Sequence, residues 1–470
     1  MRFSLALYGL AVASALLAGC QRFRSIPLSP GGGAAALEAR SLNDPGLKEF
    51  AAEVSTRVPA AWPPERWDFP ALTLVALYFH PSLDLARAQW KLANAGEKTA
   101  GGQPNPILSA VPGYSLNPAS GISPWFPLAT VDIPIETAGK RGYRIAKARK
   151  LSEAARLTIA STAWQVRSHL RVGLLDYAAA QRRAELLQQQ LQFEQQIVAL
   201  LEQRLQAGAA VRTELTLPRI ALAKTGVELA DAVRRAAEAR VLIAEALGLS
   251  ARSIADVKFD FQLTISPDEG KELASAEARQ QALLSRPDVL AALADYAASE
   301  SALQIEIARQ YPDIHLSPGY QYDQGEHKWS LGLSVELPVL NRNQGPIAEA
   351  LAKREESAVR FLALQSRIMA EIDVALAARA AALGQVTRQS GLTQLAREQL
   401  AAVESLYAAG AADQLELSSA RLEASVSDLA HLEAQLKAQQ AIAQLEEAIQ
   451  RPLEPWPSLE HGRSAKANSP

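Results

Sequence analysis

The sequence predicts a mainly α-helical protein built from two copies of one unit, in which two β-strands precede a long helical hairpin. The first observation is an internal repeat, since Gly410 follows Gly208 by 202 positions (410 − 208) and the flanking residues repeat with it. A unit of this length exceeds the roughly 20–50 residues of a solenoid repeat, so we infer duplication of a half-protein. The other two observations are short alternating segments, typical of strands, and long Ala-rich, Leu-spaced stretches, typical of closely packed helices. The repeated breaks read Ala207-Gly208-Ala209-Ala210 and Ala409-Gly410-Ala411-Ala412.

The first twenty residues have the pattern of an export signal. Arg2 supplies a positive charge, and residues 4–17 are mainly apolar but too few to span a bilayer of about 30 Å as an ordinary helix. Residues 17–20 read Leu-Ala-Gly-Cys, which resembles a bacterial lipobox, and Cys20 is the only cysteine of the chain. The resemblance implies cleavage before Cys20 and its lipidation; the alternative is an ordinary signal peptide with an incidental cysteine. Gln21 in place of Asp favours the outer membrane, by resemblance to enterobacterial lipoproteins.

Composition and the repeat divide the chain into segments. Pro, Gly and Ser are common up to residue 66, which predicts an extended tether with one short helix. A helical pattern runs from Leu72 to about Ala100 and is interrupted at His80-Pro81. The predicted segments are a signal peptide (1–19), a lipid-anchored tether (20–69), a first repeat (70–249, strands about 106–135, hairpin tip about 207–212), a linker (250–270), a second repeat (271–451, strands about 312–338, tip about 409–413) and a tail (452–470).

Alternation with a period of two predicts the strands of both copies. Apolar residues occupy alternate positions from Trp125 to Ile135, and residues 314–322 and 329–337 alternate more regularly. We expect residues 323–326 to form the connecting loop and one face of the second hairpin to be apolar. Trp125, Tyr320, Tyr322 and Trp329 are candidates for an interfacial aromatic girdle, although core packing explains them nearly as well.

Four strands are too few to close a barrel of channel size. An open sheet in lipid leaves backbone groups unpaired at its edges, which the hydrocarbon region does not tolerate. The strands are therefore either shared between chains or located outside a membrane. In the second alternative they form two soluble hairpins packed on the helices.

Long helices are predicted on both sides of each break. Before the first break, Leu and Val recur with the heptad spacing of four and three residues, and Glu194 is the exception. Gly208 and Gly410 suit helix ends, at which the backbone often requires a positive φ angle. Each half is therefore expected to be two strands followed by an antiparallel helical hairpin.

Composition and motifs exclude several classes of function. The chain has 48 basic and 50 acidic residues, which gives no basic field for nucleic acid. No phosphate-binding glycine loop follows a strand and no HExxH motif occurs, so neither an enzyme nor a cofactor is predicted. The six histidines lack metal-ligand spacing. Pairing about residues 323–326 places His315 opposite Ser334, and we interpret His315 and His327 as ordinary strand residues.

Two strand pairs, two long helical hairpins, an internal duplication and Gly-containing tips together resemble the TolC-type outer-membrane efflux proteins over about residues 70–450. Residues 132–141 (DIPIETAGKR) and 337–345 (LPVLNRNQG) are similar to the strand-to-helix junctions of the CzcC-like branch, which is associated with heavy-metal cation efflux. The resemblance implies a lipid-anchored homotrimer in the outer membrane of a Gram-negative bacterium. About twelve strands would form one β-barrel, and the helices would form an α-barrel tunnel in the periplasm. It also implies a periplasmic adaptor and an inner-membrane pump of the resistance–nodulation–division (RND) type as partners.

The resemblance also assigns roles to residues near the tips. In a trimer each pore-facing acid becomes a ring of three, and acidic rings favour cations. The alternative is that acids in the first turn of a helix stabilise the helix dipole. The implied adaptor-docking turns are Ala207, Gly208 and Ala209 with Ala409, Gly410 and Ala411, and the candidate pore constriction is Tyr407, Glu214, Asp413 and Glu416.

The expected function is a passive outer-membrane channel subunit of a tripartite efflux system, carrying heavy-metal cations delivered by the pump and adaptor. One alternative is the same channel fold exporting small organic compounds. The other is a periplasmic coiled-coil adaptor or scaffold. An adaptor is expected to have one helical hairpin flanked by lipoyl-like β segments, so two duplicated hairpins favour the channel.

Overall fold

The computed structural model describes residues 23–54, 62–266 and 268–453. The predicted signal peptide, the lipobox with Cys20 and residues 454–470 of the tail lie outside the described residues. Across these ranges, none of the helices combines the length and the apolar character needed to cross a lipid bilayer.

The elements follow the predicted order in each copy. The interruption expected at His80-Pro81 is present, because the helix before it ends at Phe79 and the next begins at Pro81. The helices are α1 Pro30–Glu38, α2 Pro45–Val54, α3 Phe69–Phe79, α4 Pro81–Ala100, α5 Lys140–Gln206, α6 Arg212–Leu247, α7 Ala276–Ser285, α8 Pro287–Ala308, α9 Gln344–Ala408 and α10 Gln414–Ile449. The strands are β1 Arg66–Trp67, β2 Ile107–Val111, β3 Leu128–Ile135, β4 Lys258–Phe259, β5 Ile314–Asp323 and β6 Glu326–Val335.

The duplication is visible in the helix lengths. The first hairpin pairs α5 of 67 residues with α6 of 36, and the second pairs α9 of 65 residues with α10 of 36. At 1.5 Å per residue, α5 and α9 are each about 100 Å long. In each copy a helix of about twenty residues, α4 or α8, precedes the two strands. The two copies therefore share one plan.

The two strand pairs form one antiparallel sheet in the order β2-β3-β5-β6, so the two copies meet at the β3–β5 ladder. The predicted pairing of His315 with Ser334 is confirmed. A two-residue turn joins β5 to β6, and both of its residues, Gln324 and Gly325, have positive φ angles of 52° and 88°. A turn of this kind matches the right-handed twist of the strands.

Several strand limits differ from the prediction, and Asp323 and Glu326 of the expected loop belong to β5 and β6. The strand expected from Trp125 begins at Leu128, and Trp125 instead forms an isolated bridge to Tyr114, with ring centroids 4.9 Å apart. Strand β6 ends at Val335, although the alternation continues to Leu337. Alternation alone does not identify these ends, because it persists in extended chain that has no partner strand.

The largest core lies where α2, α3, α5 and α6 meet. Every residue of α3 except Pro70 is buried, which explains why its sequence is apolar on all sides. The N-terminal segment differs from the tether that was expected, because it contains two helices and α2 buries Leu47 and Phe50 in this core. Arg40 Nη1 then donates to the backbone oxygens of Phe79 (2.8 Å) and Gly248 (2.9 Å). Part of this segment is therefore docked on the first repeat.

A buried ion cluster connects the two copies. Glu446 of α10 is 1% exposed and accepts hydrogen bonds from Arg167 and Arg171 of α5, the former at 2.7 Å. Both guanidinium groups also lie near the ring of Phe69. Glu446 also accepts from the backbone N–H of Leu453 at 2.9 Å. This carboxylate therefore ties the end of the second hairpin to the first.

Candidate functional site

The four-stranded sheet has one mainly polar and one apolar face, and the separation is clearest in β5 and β6. Residues directly opposite each other in an antiparallel sheet share a face. His315 lies opposite Ser334 on the polar face, whereas Leu331 lies opposite Pro318 on the apolar face. The apolar face is uncovered within the described chain, since Trp329 is 80% and Leu331 70% exposed. Burial of this face therefore requires something beyond the described residues.

Both edges of the sheet are also open within the part of the chain that the structure describes. Strands β2 and β6 are its two outer members, and every residue of both strands is exposed. An edge strand presents a row of unpaired backbone N–H and C=O groups that another strand can pair with. Strand β6 has ten residues and one apolar face, which makes it a long unprotected edge.

A hydrogen-bonded cluster lies on the polar face, where β3 meets β5. Asp132 Oδ2 is 2.9 Å from His315 Nδ1, and Asp132 Oδ1 accepts from Ser317 Oγ at 3.1 Å. Nearer the β5–β6 turn, Lys328 Nζ donates to Asp323 Oδ2 at 2.9 Å. Each of these acidic residues is thus paired with a nitrogen-bearing partner.

Aromatic residues collect on the apolar face near the same turn. Tyr320 and Trp329 lie opposite each other with ring centroids 4.9 Å apart. The Tyr320 hydroxyl lies 2.7 Å from His327 Nδ1. This group contains three of the residues proposed as a girdle, namely Tyr320, Tyr322 and Trp329, and His327 joins them.

The first strand-to-helix junction is held by a compact set of polar contacts. Lys140, the first residue of α5, is buried, and its Nζ donates to Asp313 Oδ1 (2.8 Å) and to the backbone oxygen of Tyr311 (2.6 Å). Thr137 N also donates to Asp313 Oδ1, at 2.9 Å. Positive φ angles at Ala138 and Gly139 turn the chain between these contacts. The DIPIETAGKR segment is therefore a junction that joins the two copies.

The tips of the two helical hairpins have nearly the same backbone. Gly208 and Gly410 have φ angles of 72° and 74°, and the following residues, Ala209 and Ala411, donate backbone hydrogen bonds to Arg204 and Leu406. This pattern is common where a helix ends with glycine in the left-handed region. A Cβ added at either glycine would meet no atom within 4 Å, so φ alone favours glycine there. The sequence predicted these positions; their role in docking stays a prediction.

The residues proposed for the constriction have different positions and partners at the ends of their helices. Asp413 is the N-cap of α10, and its Oδ1 accepts from Glu416 N while Glu416 Oε2 accepts from Asp413 N, both at 2.9 Å. This is a capping box, as the helix-stabilising alternative expected. Glu214 lies exposed in the first turn of α6, which begins after Val211 with no side-chain cap. Tyr407 lies in the last turn of α9 and is partly exposed.

An ion pair that the sequence analysis missed joins the two tips. Arg204, near the end of α5, donates to Asp413 Oδ2. The bond from Glu416 N, followed by this guanidinium, lowers the pKa of the Asp413 carboxyl below its ordinary value. Within one chain Asp413 is thus already engaged by a cap and an ion pair. Whether these acids also line a pore stays a prediction.

The match of the chain to a known family falls into two segments, one in each copy. A family model described as "Outer membrane efflux protein" matches residues 75–249 and 278–450, which together exceed half of the chain. The chain is 26% identical over 237 residues to the "Cobalt-zinc-cadmium resistance protein CzcC" of Cupriavidus metallidurans. That alignment covers 50% of this chain and 55% of CzcC, so the match spans about half the length of this curated relative.

Solved structures share the fold. CusC superposes with a TM-score of 0.64 at 18% identity, covering 84% of this chain and 95% of CusC. VceC from Vibrio cholerae superposes with a TM-score of 0.65 at 20% identity, covering 81% of this chain and 95% of VceC. The Campylobacter jejuni CmeC outer membrane channel superposes with a TM-score of 0.64 at 15% identity, covering 92% of this chain and 93% of CmeC. These likenesses confirm the fold inferred from the repeat, and the chain belongs to the outer membrane efflux protein family.

Proposed function

We propose that three copies of the chain assemble in the outer membrane of a Gram-negative bacterium and form the exit channel of a tripartite efflux system for heavy-metal cations. The observation that carries this proposal is the four-stranded sheet, with one polar face, one uncovered apolar face and two open edges. In lipid, the apolar face needs no protein cover, and the edges need partner strands.

Pairing β6 of one copy with β2 of the next satisfies both edges. Neighbouring strands in the order β2-β3-β5-β6 are antiparallel, so β2 and β6 of adjacent copies also run in opposite directions. Three four-stranded sheets give twelve strands in one closed barrel. Side chains fill an eight-stranded barrel, and diameter grows with strand number, so twelve strands leave an open lumen lined by the polar face.

The helices support a tunnel outside the membrane. At about 100 Å, α5 and α9 exceed the roughly 30 Å hydrocarbon core several-fold. Both helical hairpins leave the same end of the sheet and turn at Gly208 and Gly410. We assign these tips to contact with a periplasmic adaptor and, through it, an RND-type pump that supplies the energy. Lipidation of Cys20 would add a second attachment to the outer membrane.

Similarity to CzcC supports metal cations as the cargo. The printed name of CzcC states resistance to cobalt, zinc and cadmium, and the alignment with this chain is 26% identical. The junction segments 132–141 and 337–345 support the same branch. A passive channel requires no catalytic group, and its proposed wall combines hydroxyl side chains such as Ser317 and Ser334 with charged ones such as Asp323 and Lys328.

Metal accumulation tests the proposal. The gene is deleted in the bacterium that carries it, and cellular zinc, cobalt and cadmium are measured by mass spectrometry after a challenge with each metal. The deletion strain is expected to retain more metal, and the wild-type gene is expected to restore export. Membrane fractionation and the heat-resistant trimer on a gel are followed in the same cells.

Other outcomes separate the alternatives. Unchanged metal content together with increased retention of an organic dye would identify an exporter of organic compounds. A protein recovered from the periplasm as a monomer, with no outer-membrane trimer, would support an adaptor or scaffold. Either result overturns the proposed channel for metal cations.

A further inference from the structure

We propose that His315, held by Asp132, is a transient ligand for Zn²⁺ and similar transition-metal cations on the wall of the channel. The inference rests on the proposed barrel, in which the polar face of the sheet lines the lumen. It assigns a specific contact with the cargo to His315, which the alternation of the sequence alone identifies as an ordinary strand residue.

The geometry fixes the tautomer of the neutral imidazole ring. A carboxylate only accepts hydrogen bonds, so the 2.9 Å contact with Asp132 Oδ2 requires that His315 Nδ1 carry the hydrogen and donate it. The lone pair of the neutral ring therefore resides on Nε2. Asp132 is itself fixed, because its second oxygen accepts from Ser317 at 3.1 Å. No hydrogen-bond partner of Nε2 occurs among the residues that the structure describes.

The position of His315 leaves that nitrogen reachable. Its side chain is 42% exposed, and Ser334 lies directly opposite it on the polar face. The flanking residues Ile314 and Leu316 belong to the apolar face, since successive residues of a strand point to opposite sides. In a closed barrel, three copies of His315 would lie at one level of the lumen.

The chemistry of the pair matches a metal ligand. Histidines that bind metals usually donate their other ring N–H to a carboxylate, which fixes the tautomer and increases the basicity of the ligand. Imidazole suits zinc, copper and nickel ions, whereas magnesium and calcium prefer oxygen ligands. A lumen with imidazole on its wall therefore distinguishes transition metals from the abundant alkaline-earth cations.

One imidazole per chain also gives an affinity for the metal ion that suits a channel. The described residues contain no group of three or more His, Cys, Asp or Glu side chains placed to hold a metal ion. A conduit needs binding that is favourable enough for entry and weak enough for release. A single imidazole meets that requirement, whereas a complete coordination shell would retain the ion.

The same hairpin supplies a matched control. His327 lies on the apolar face, and its Nδ1 is 2.7 Å from the Tyr320 hydroxyl. It is twelve positions from His315 and belongs to the next strand (327 − 315). Replacement of His327 should therefore leave the luminal contact unchanged while removing one histidine from the same barrel.

The test uses the purified full-length protein in detergent and diethyl pyrocarbonate, which modifies accessible imidazole. Modification of His315 is quantified by peptide mass spectrometry across a titration with Zn²⁺ alone or with Mg²⁺ alone. Zn²⁺ is expected to protect His315 and Mg²⁺ is not. Asp132→Asn should raise the Zn²⁺ concentration needed for half protection by about tenfold, as expected for loss of the carboxylate partner of a ligand. His327→Gln should leave it unchanged.

Two results would overturn the inference. One is equal protection by Zn²⁺ and Mg²⁺, and the other is protection that is unaffected by Asp132→Asn in a protein that still migrates as a trimer. In cells, His315→Gln should increase zinc retention relative to His327→Gln at equal trimer level. Failure of the proposed function is distinguishable, because deletion of the whole gene would then leave zinc content unchanged even if purified protein shows protection.

Discussion

The two copies within the chain have almost the same helix lengths but different contacts at the ends of their hairpins. The first tip begins α6 without a side-chain cap, whereas the second begins α10 with the Asp413–Glu416 capping box. At the opposite end, Lys140 and Asp313 hold the first junction, whereas Asn343 Nδ2 donates to the Glu306 backbone oxygen at 2.7 Å in the second. Helix length is thus common to both copies, and the stabilising chemistry at the ends is not.

A polar layer, which is partly buried in the second copy, shows the same relation within each hairpin. In the first, Glu194 accepts from Thr225 Oγ1 at 2.9 Å and from Gln190 Nε2 at 3.0 Å. In the second, Ser427 stands 202 positions after Thr225 (427 − 225), and its hydroxyl lies 3.1 Å from that of Thr393. Because a polar layer occurs at corresponding levels with different residues, it fits a role in helix register rather than a specific reaction.

The ion cluster between the copies should give the largest effect on stability. Glu446 corresponds to Ala244 of the first copy, because their numbers differ by the 202-residue offset (446 − 244). The carboxylate of the cluster is therefore present in only one of the two copies. Glu446→Gln removes the charge that Arg167 and Arg171 share and should cost about 3–5 kcal/mol. Urea unfolding of the purified protein measures this. Glu433→Gln, at an exposed ion pair with Arg183, should cost less than about 1 kcal/mol. Equal costs would contradict a special role for the cluster.

The faces of the second β-hairpin should respond unequally to charge. Leu331→Arg puts a charge on the uncovered apolar face and should destabilise the barrel by about 2–4 kcal/mol if residue 331 lies near the bilayer midplane. Ser330→Arg, on the polar face, should be tolerated. Trimer yield and unfolding in lipid vesicles provide the measurement. Similar losses from both changes would show that the hairpin is not a barrel wall.

The two strand-to-helix junctions should differ in the cost of losing one side chain. Lys140→Met leaves Asp313 without its ammonium partner, and we expect a loss of about 1–3 kcal/mol, because Lys140 is buried while Asp313 is partly exposed. Asn343→Gly keeps the positive φ angle and removes only hydrogen bonds, so we expect it to lower the free energy of unfolding by about 1 kcal/mol. Hydrogen exchange around each junction measures both changes. A larger effect at residue 343 would reverse the comparison.

The tips should show the smallest effect. Asp413→Ala removes the cap of α10 and should cost about 1 kcal/mol, whereas Val211→Asp should stabilise α6 by a similar amount. The pKa of Asp413 is lowered in the folded protein, so its contribution is present above the unfolded value near 3.9 and is lost as pH falls through the lower folded value. Exchange protection of the first turn of α10 should therefore decrease only in acid. A decrease already between pH 7 and pH 5 would argue against this assignment.

The sequence predicts what depends on spacing along the chain. Alternation gave the pairing of His315 with Ser334, and the repeated breaks gave both tips. Continuing the same register to β3 would also have found Asp132, because it occupies the polar face. Side-chain partners distant in sequence, such as Arg204 with Asp413, depend on how the copies pack and leave no local pattern. The docking of α2 was not predicted either, because no local pattern marks its contact with the core. The Gly- and Pro-rich residues around it resemble a linker.

An inter-subunit disulfide tests most directly whether the four strands are one third of a barrel. Ser109→Cys on β2 is combined in turn with Ser330→Cys, Gly332→Cys or Ser334→Cys on β6, all on the polar face. Within one chain, three strand spacings separate β2 from β6, about 14 Å, which exceeds the Cα separation that a disulfide allows. Oxidation should therefore give covalent trimers in at least one pairing. Membrane-embedded protein that remains monomeric on a non-reducing gel in all three pairings would contradict closure of β6 on β2 of the next copy.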